Sequence, residues 1–359
     1  MQVAVASSLA LLVGLVHAVP LANNTPSTRH FDGACTADKL TIRKEWRNMN
    51  PTEKHAFLDA QNCLMKLPAK TNLSGVTNRF SDLQALHRWL TNATVLDGYL
   101  APSWEDVIPN GIYVADIIHD VGQFFPWHRY YMHAYEMMMR DECGYKGTMP
   151  WWDEAKDADT GDFFQSEMWS SEWFGGNGVE SLDWCVTDGA FANYTEHMGP
   201  ALTDTTYCMS REWYQGIAQE LCTSEVVNKC HALDAYEDFY VCAGNAFVSP
   251  HYGGHTAVGG IMADIHNSPG DPTFFLHHNY IDRLWWQWQT ANAPLRFSDM
   301  SGQAFNSTNL EALGQTGPAG GWPNATLDYP LWMADILPNI TISEVMNVQG
   351  GLLCYDYDY

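Results

Sequence analysis

Apolar side chains at Leu40, Ile42, Trp46, Phe57, Leu58 and Leu64 form a stripe between Cys35 and Lys66 that predicts helix, with Asn50-Pro51-Thr52 as a start signal. Phe80 to Leu90 predicts a second helix. Ser103 can cap a third, running through Trp104 toward His119 and interrupted at Pro109 and Gly111. Pro126 lacks an N–H and is tolerated only in a helix's first turn, so His119 is expected to close one helix and His128 to open the next. That next helix should continue to about Arg140 and end near Gly144. Residues 155–245 are rich in Gly, Ser, Asp and aromatics, which predicts loops with a few short helices. After a turn at Ser268-Pro269-Gly270-Asp271-Pro272, a helix is expected from Phe274 to about Gln289. Beyond Pro294 the chain turns to Gly-, Pro- and Asn-rich loops. The whole pattern is mainly α and has no internal repeat at a solenoid period.

Composition adds a compartment. Residues 1–18 are a short apolar run ending in Val16-His17-Ala18, which reads as a secretory signal peptide too short to span a bilayer. Nine cysteines suit an oxidising environment. Asn-x-Ser/Thr sequons begin at Asn23, Asn72, Asn92, Asn193, Asn306, Asn324 and Asn339, as in a secreted, N-glycosylated protein. A net charge of −24 opposes binding to nucleic acid, because phosphates would be repelled. No membrane partner is expected. The length permits one large domain or two small ones. One domain over 19–359 is preferred, because the two chemistry-bearing stretches described next must meet in space.

The first stretch holds His119 and His128, flanking Gly122 and Pro126. Two imidazoles converging from separate elements give a metal site a fixed geometry. Phe124 and Trp127 supply a dry wall. Arg129 and Glu136, seven apart, can pair along a helix face. The second stretch holds His251 and His255, four apart and so on one helix face, and His278 and Asp282 at the same spacing.

Together the stretches resemble the copper-binding halves of the tyrosinase, catechol oxidase and haemocyanin superfamily. The pattern His-x4-Phe-x2-Trp-His-Arg-x6-Glu is met at His119, Phe124, Trp127, His128, Arg129 and Glu136. The pattern Asp-Pro-x-Phe-x3-His-x3-Asp is met at Asp271, Pro272, Phe274, His278 and Asp282. The likeness runs from about Cys35 to Cys354 and is greatest to short secreted fungal tyrosinase-like proteins. It implies a four-helix bundle carrying the copper-site histidines, with a first copper half at about 100–150, a second at about 246–292, and disulfide-pinned loops. It also implies that Met149-Pro150-Trp151-Trp152-Asp153 packs against the first half. Six cysteines can pair as Cys35 with Cys354, Cys63 with Cys143, and Cys185 with Cys208, a pairing that sequence does not fix. One of Cys222, Cys230 and Cys242 is left over. Ile117 occupies the place where some relatives carry a cysteine bonded to a histidine, so no thioether is expected.

By the same resemblance, the second copper takes His251, His255 and His278, and the first takes His119 and His128. Phe124 and Phe274 hold imidazoles by packing, while Arg129, Glu136 and Asp282 form ion pairs or helix locks. His277 is a pocket neighbour and His133 is structural. The implied activity is copper-dependent oxidation of a phenol or o-diphenol by O2. A small phenolic or catecholic substrate, or a tyrosine-containing peptide of secondary metabolism, would be the partner. In the short fungal proteins the third ligand of the first copper sits eight residues before the second, and here that position is Gly111. Asp116 can replace it, or a loop shift can bring in Asn110, Tyr113 or a distant histidine such as His87. The preferred expectation is a gap filled by water. That gives two copper ions if the site fills and otherwise one, with a mononuclear or non-catalytic protein as the alternative. Many monophenol hydroxylases also have Asn at the place of Tyr252 and a Glu near that of Ala243. Without that base, taking a proton from a phenol is harder.

Overall fold

The computed structural model describes residues 34–96, 99–100, 113–192, 194–245, 247–306 and 323–359. The predicted signal peptide, Asn23, Asn110, Gly111, Asn193 and residues 103–112 of the expected helix after Ser103 lie outside them; Tyr113–Ala115, expected as the continuation of that helix, is a strand.

In chain order the first elements are β1 (Thr41–Glu45), α1 (Pro51–Leu64), α2 (Arg79–Leu90), β2 (Ala93–Leu96), β3 (Tyr99–Leu100) and β4 (Tyr113–Ala115). Next come α3 (Phe124–Cys143), β5 (Pro150–Trp151), α4 (Glu154–Asp159), β6 (Thr195–Glu196) and β7 (Tyr207–Cys208). Four further helices follow: α5 (Gln215–Leu221), α6 (Ser224–His231), α7 (Tyr236–Gly244) and α8 (Pro250–Val258). The last elements are α9 (Phe274–Ala291), β8 (Pro330–Leu331), β9 (Ile340–Thr341) and β10 (Tyr355–Tyr357). The fold is mainly α, as the pattern predicts.

The first expected helix is half wrong. Its opening part is β1, which pairs in parallel with β10 on one side and β5 on the other. A strand paired to the distant chain end leaves no local sequence signal, and Ile42 of the supposed stripe faces solvent. The helix begins where Asn50 and Glu53 cap each other reciprocally and Pro51 occupies the first turn. At the other end of the first stretch, α3 stops at Gly144, whose φ of 67° is the left-handed turn that glycine adopts without strain.

Helices α3 and α9 form the centre. Tyr135 of α3 stacks on Phe275 of α9 with ring centroids 3.7 Å apart. Nearly every residue of α9 is buried, so the helix is enclosed on all sides and its polar side chains, Asp282 among them, need partners inside the protein. Asp282 of α9 lies 2.5 Å from Arg129 of α3 and 3.6 Å from Arg43 of β1. It also accepts hydrogen bonds from the Tyr355 and Tyr357 hydroxyls of β10, at 2.6 and 2.5 Å. Burial alone would raise this carboxyl; Arg129 and Arg43 hold it below its ordinary value. Arg129 therefore pairs with Asp282 and not with Glu136, which is held by Arg43 and Arg140.

Pro150–Trp151 also differs from expectation. It packs on α9, the second half: Asn279 donates to the Pro150 carbonyl and Trp151 stacks on Tyr280. The disulfides are Cys35–Cys354, Cys63–Cys143, Cys185–Cys208 and Cys230–Cys242. Cys222 is the buried free thiol. Among the described residues no helix is long and apolar enough to cross a membrane.

Candidate metal centre

Two groups of histidines face each other inside the bundle. One is His251, His255, His277 and His278; the other is His87, His119 and His128. Within each group, one ligand atom per residue lies within 4.8 Å of the others. The rings of His128 and His278 stack across the divide, 4.4 Å apart and 8° from parallel.

The second group corrects the expected gap. His87, on α2, is fully buried, and its ring centroid lies 5.0 Å from that of His119 and 5.8 Å from that of His128. Asp116 is not a member of this group; its carboxylate contacts His119 Nδ1 at 2.9 Å. His87 continues the stripe Phe80, Leu83, His87, Leu90 on the buried face of α2, the one local signal that could have selected it. His119 was also expected at a helix end. It lies instead in an irregular bend after β4, and the Asp116 carboxylate accepts the Ile118 and His119 backbone N–H groups that a helix would have paired. Strand β2 pairs antiparallel with β4, and the Ile117 N–H donates to the Leu90 carbonyl. That short sheet ties the end of α2 to the bend, and so His87 to His119.

Most rings are oriented by a bond at Nδ1. His87 Nδ1 lies 3.3 Å from the His266 carbonyl oxygen, His128 Nδ1 2.9 Å from that of Phe124, and His255 Nδ1 2.8 Å from that of Met262. Each Nδ1–H donated this way leaves Nε2 with a free lone pair. His87 Nε2 and His128 Nε2 are indeed buried without a partner, as are both nitrogens of His251. His255 Nε2 and His278 Nε2 approach to 3.2 Å. Phe124 stands 4.6 Å from the His251 ring, and Phe274 4.1 Å from the His278 ring, so both pack imidazoles as expected. Trp127 lies edge-on to His128 at 4.8 Å.

His277 has a different partner. Its Nδ1 is 2.5 Å from Glu154 Oε1, and both side chains are fully buried. Burial pushes the Glu154 carboxyl up and the His277 imidazole down to about 3, so the pair is uncharged. A Cβ on Gly254 would stand 2.5 Å from Glu154 Oε2 and from His277 Nδ1, so only glycine lets α8 approach this pair. Glu154 carries no local signal in the sequence. His133 lies away from both groups, stacked on Tyr130.

Burial pushes His87, His128, His251, His255 and His278 well below the ordinary imidazole range, and neighbouring imidazoles add to the effect. The rings are therefore neutral lone-pair donors. Buried, unpartnered imidazole nitrogens gathered this closely fit a metal that favours nitrogen ligands, copper among them.

The sequence profile described as the common central domain of tyrosinase matches residues 77–291. The chain belongs to the tyrosinase family. It is 28% identical over 372 residues to N-acetyl-6-hydroxytryptophan oxidase ivoB of Emericella nidulans, covering 90% of this chain and 94% of that one. It is also 28% identical over 367 residues to tyrosinase ustQ of Aspergillus flavus, covering 98% and 87%. A polyphenol oxidase (mutant G292N) from Thermothelomyces thermophila superposes with a TM-score of 0.74 at 26% identity, covering 91% of each chain. Family and histidine groups together point to a copper oxidoreductase of the tyrosinase type.

Proposed function

We propose that this chain is a dinuclear copper oxidase that uses O2 to convert an o-diphenol to its quinone, with a catechol-bearing small product as the substrate class. The observation that carries the reading is the facing pair of buried imidazole groups, each able to offer three ligands. His87, His119 and His128 would hold one ion, and His251, His255 and His278 the other. With His87 in the group, the mononuclear alternative loses its premise. Copper there supplies electron exchange between the phenolic substrate and O2.

The chain's own residues prepare the place. The Phe124, Met262 and His266 carbonyls and the Asp116 carboxylate fix ring orientation. Phe124, Trp127 and Phe274 exclude water from the histidines' inner faces. Diphenol oxidation is favoured over monophenol hydroxylation. Ala243 stands where a water-holding carboxylate is expected in hydroxylases, and the next residue, Gly244, abuts Phe124. The four disulfides support a secretory route, and Asn72, Asn92, Asn324 and Asn339 are exposed sequon positions for glycans.

The test is copper content per chain after loading and dialysis, followed by O2 uptake with a catechol and with a monophenol. Two coppers with catechol-dependent uptake is the expected result. A single retained ion, or two ions without uptake on any catechol, overturns the reading.

A further inference from the structure

The third ligand of the first copper rides on α2, and α2 is gripped from below by a polar pair with no role in the fold's ion-pair network. Gln84 precedes His87 by one helical turn, and both are essentially inaccessible. The Gln84 amide Nε2 donates to Glu196 Oε2 at 3.0 Å and to the Asn267 carbonyl at 3.2 Å. The carbonyl of the preceding residue, His266, receives His87 Nδ1. Consecutive carbonyls of one loop thus hold consecutive turns of α2, and Glu196 stands behind the first of them.

Glu196 itself is fully buried and meets no Lys, Arg or His in any ion pair among the described residues. Its Oε1 and the Gln84 Oε1 are both buried with no partner. An ionised carboxylate has no hydrogen to offer either oxygen and would be an uncompensated buried charge. A neutral carboxylic acid carries one hydrogen, and with Gln84 Oε1 as its acceptor the acid and the amide would share two hydrogen bonds. Gly270 completes the fit, since a Cβ there would stand 2.6 Å from Gln84 Nε2 and 2.7 Å from Glu196 Oε1. Glu196 reaches this place from β6, which pairs with β7 through Thr195 and Cys208, and Cys208 is bonded to Cys185. The disulfide-pinned loops therefore deliver one group to the floor of α2.

We infer that Glu196, as a neutral acid paired with Gln84, is a positioning residue that sets His87 for the first copper. This rests on the two-copper reading above. Burial pushes its carboxyl up to about 8, in keeping with a neutral group. The other charged and titratable groups around it are Asp271, which is held by Arg211, and the phenols of Tyr194 and Tyr207.

The experiment compares wild type, Glu196→Gln and Glu196→Leu, each refolding checked by helicity, for copper retained per chain. It also records the near-ultraviolet absorption that coupled copper shows with added hydrogen peroxide. Glu196→Gln should keep two coppers and the absorption, because an amide–amide ring makes the same two bonds. Glu196→Leu should fall to about one copper and lose the absorption. Should the leucine variant fail to fold, copper retention across pH 6 to 9 decides on the two remaining proteins. Wild type should shed its first copper as pH rises through about 8, and Glu196→Gln should not. Two coppers in the leucine variant, loss in the glutamine variant, or identical pH profiles overturns the inference and leaves the dinuclear reading intact. Fewer than two coppers in wild type overturns both.

Discussion

Three of the six proposed ligands come from α8 and α9, neighbouring helices close in sequence, whereas the other three come from α2, an irregular bend and α3. The second set is a local object. His251 and His255 share one face of one helix, so a single helical turn fixes their separation. The first set is assembled by tertiary structure: a two-strand tie between α2 and the bend, a carboxylate behind His119, and a loop from the other half beneath His87. A site built from two adjacent helices tolerates changes elsewhere. A site built from three elements inherits the stability of each contact that joins them.

The sharpest way to break this comparison is to remove one imidazole from each set. His87→Ala and His255→Ala are each expected to reduce retained copper from about two ions to about one. Catechol oxidation should fall beyond the roughly 10–100-fold that follows loss of a group behind a ligand. Metal analysis of the dialysed proteins, with O2 uptake, checks both. If His87→Ala kept two ions, the first set would have been misassigned.

Asp282 sits under both sets, and its loss should not discriminate between them. Asp282→Ala leaves Arg129 and Arg43 buried without their shared counter-charge. Removing one partner of such a buried network costs about 3–5 kcal/mol. Urea unfolding should show that loss in the metal-free protein. A change below about 1 kcal/mol would mean that the network contributes little to holding α3 against α9.

Glu196 separates the two sets by pH. Its folded value of about 8 stands above the ordinary 4.5, because burial disfavours the charged form. The folded chain holds that proton more tightly than the unfolded one. The associated stability is therefore fully present below about 4.5, declines above it, and is lost by the time pH has risen through about 8. Subtracting the Glu196→Gln stability curve from that of wild type should isolate a loss of a few kcal/mol across that window. A flat difference would place the ionised form in the folded protein.

How much of the fold and site is legible in the sequence follows from the same contrast. The spacing of His251 and His255, the Asp271–Asp282 motif and the Pro126 helix start are local statements, and each stands as expected. β1 reads as helix from the sequence because its partners, β5 and β10, lie more than a hundred residues away. Helical spacing matches Arg129 with Glu136, yet Asp282 on the facing helix takes Arg129, and Glu136 is held by Arg43 and Arg140. The place eight before His119 is Gly111, and counting along the chain from there yields a gap. Only the fold brings the buried face of α2 alongside, and a histidine on an apolar helix face reads equally well as core until its neighbours are known.

Asp116 offers a smaller effect on one side of the comparison. It alone among the orienting groups is a charged side chain; His87, His128 and His255 use backbone carbonyls that mutation cannot remove. Asp116→Asn keeps size and can still accept at one oxygen but loses the charge behind His119. Copper affinity at the first set should drop roughly 10-fold, toward the lower end for such groups, with the second set unchanged. Competition with a chelator would resolve the two ions, and equal weakening of both would contradict separate assembly.

The least effect is expected where sequence alone places the greatest. If His87 fills the third place, an added imidazole at Gly111 has no coordination position to take. Gly111→His should leave copper per chain at about two and catechol oxidation within about twofold of wild type, a difference under roughly 0.5 kcal/mol. A large gain in either would mean that His87 is a packing residue beside an incomplete site. The same variant in a His87→Ala background then sharpens the result. Recovery of the second ion there would show that position 111 can reach the first site when α2 no longer supplies its ligand. Continued loss would show that α2 alone delivers it.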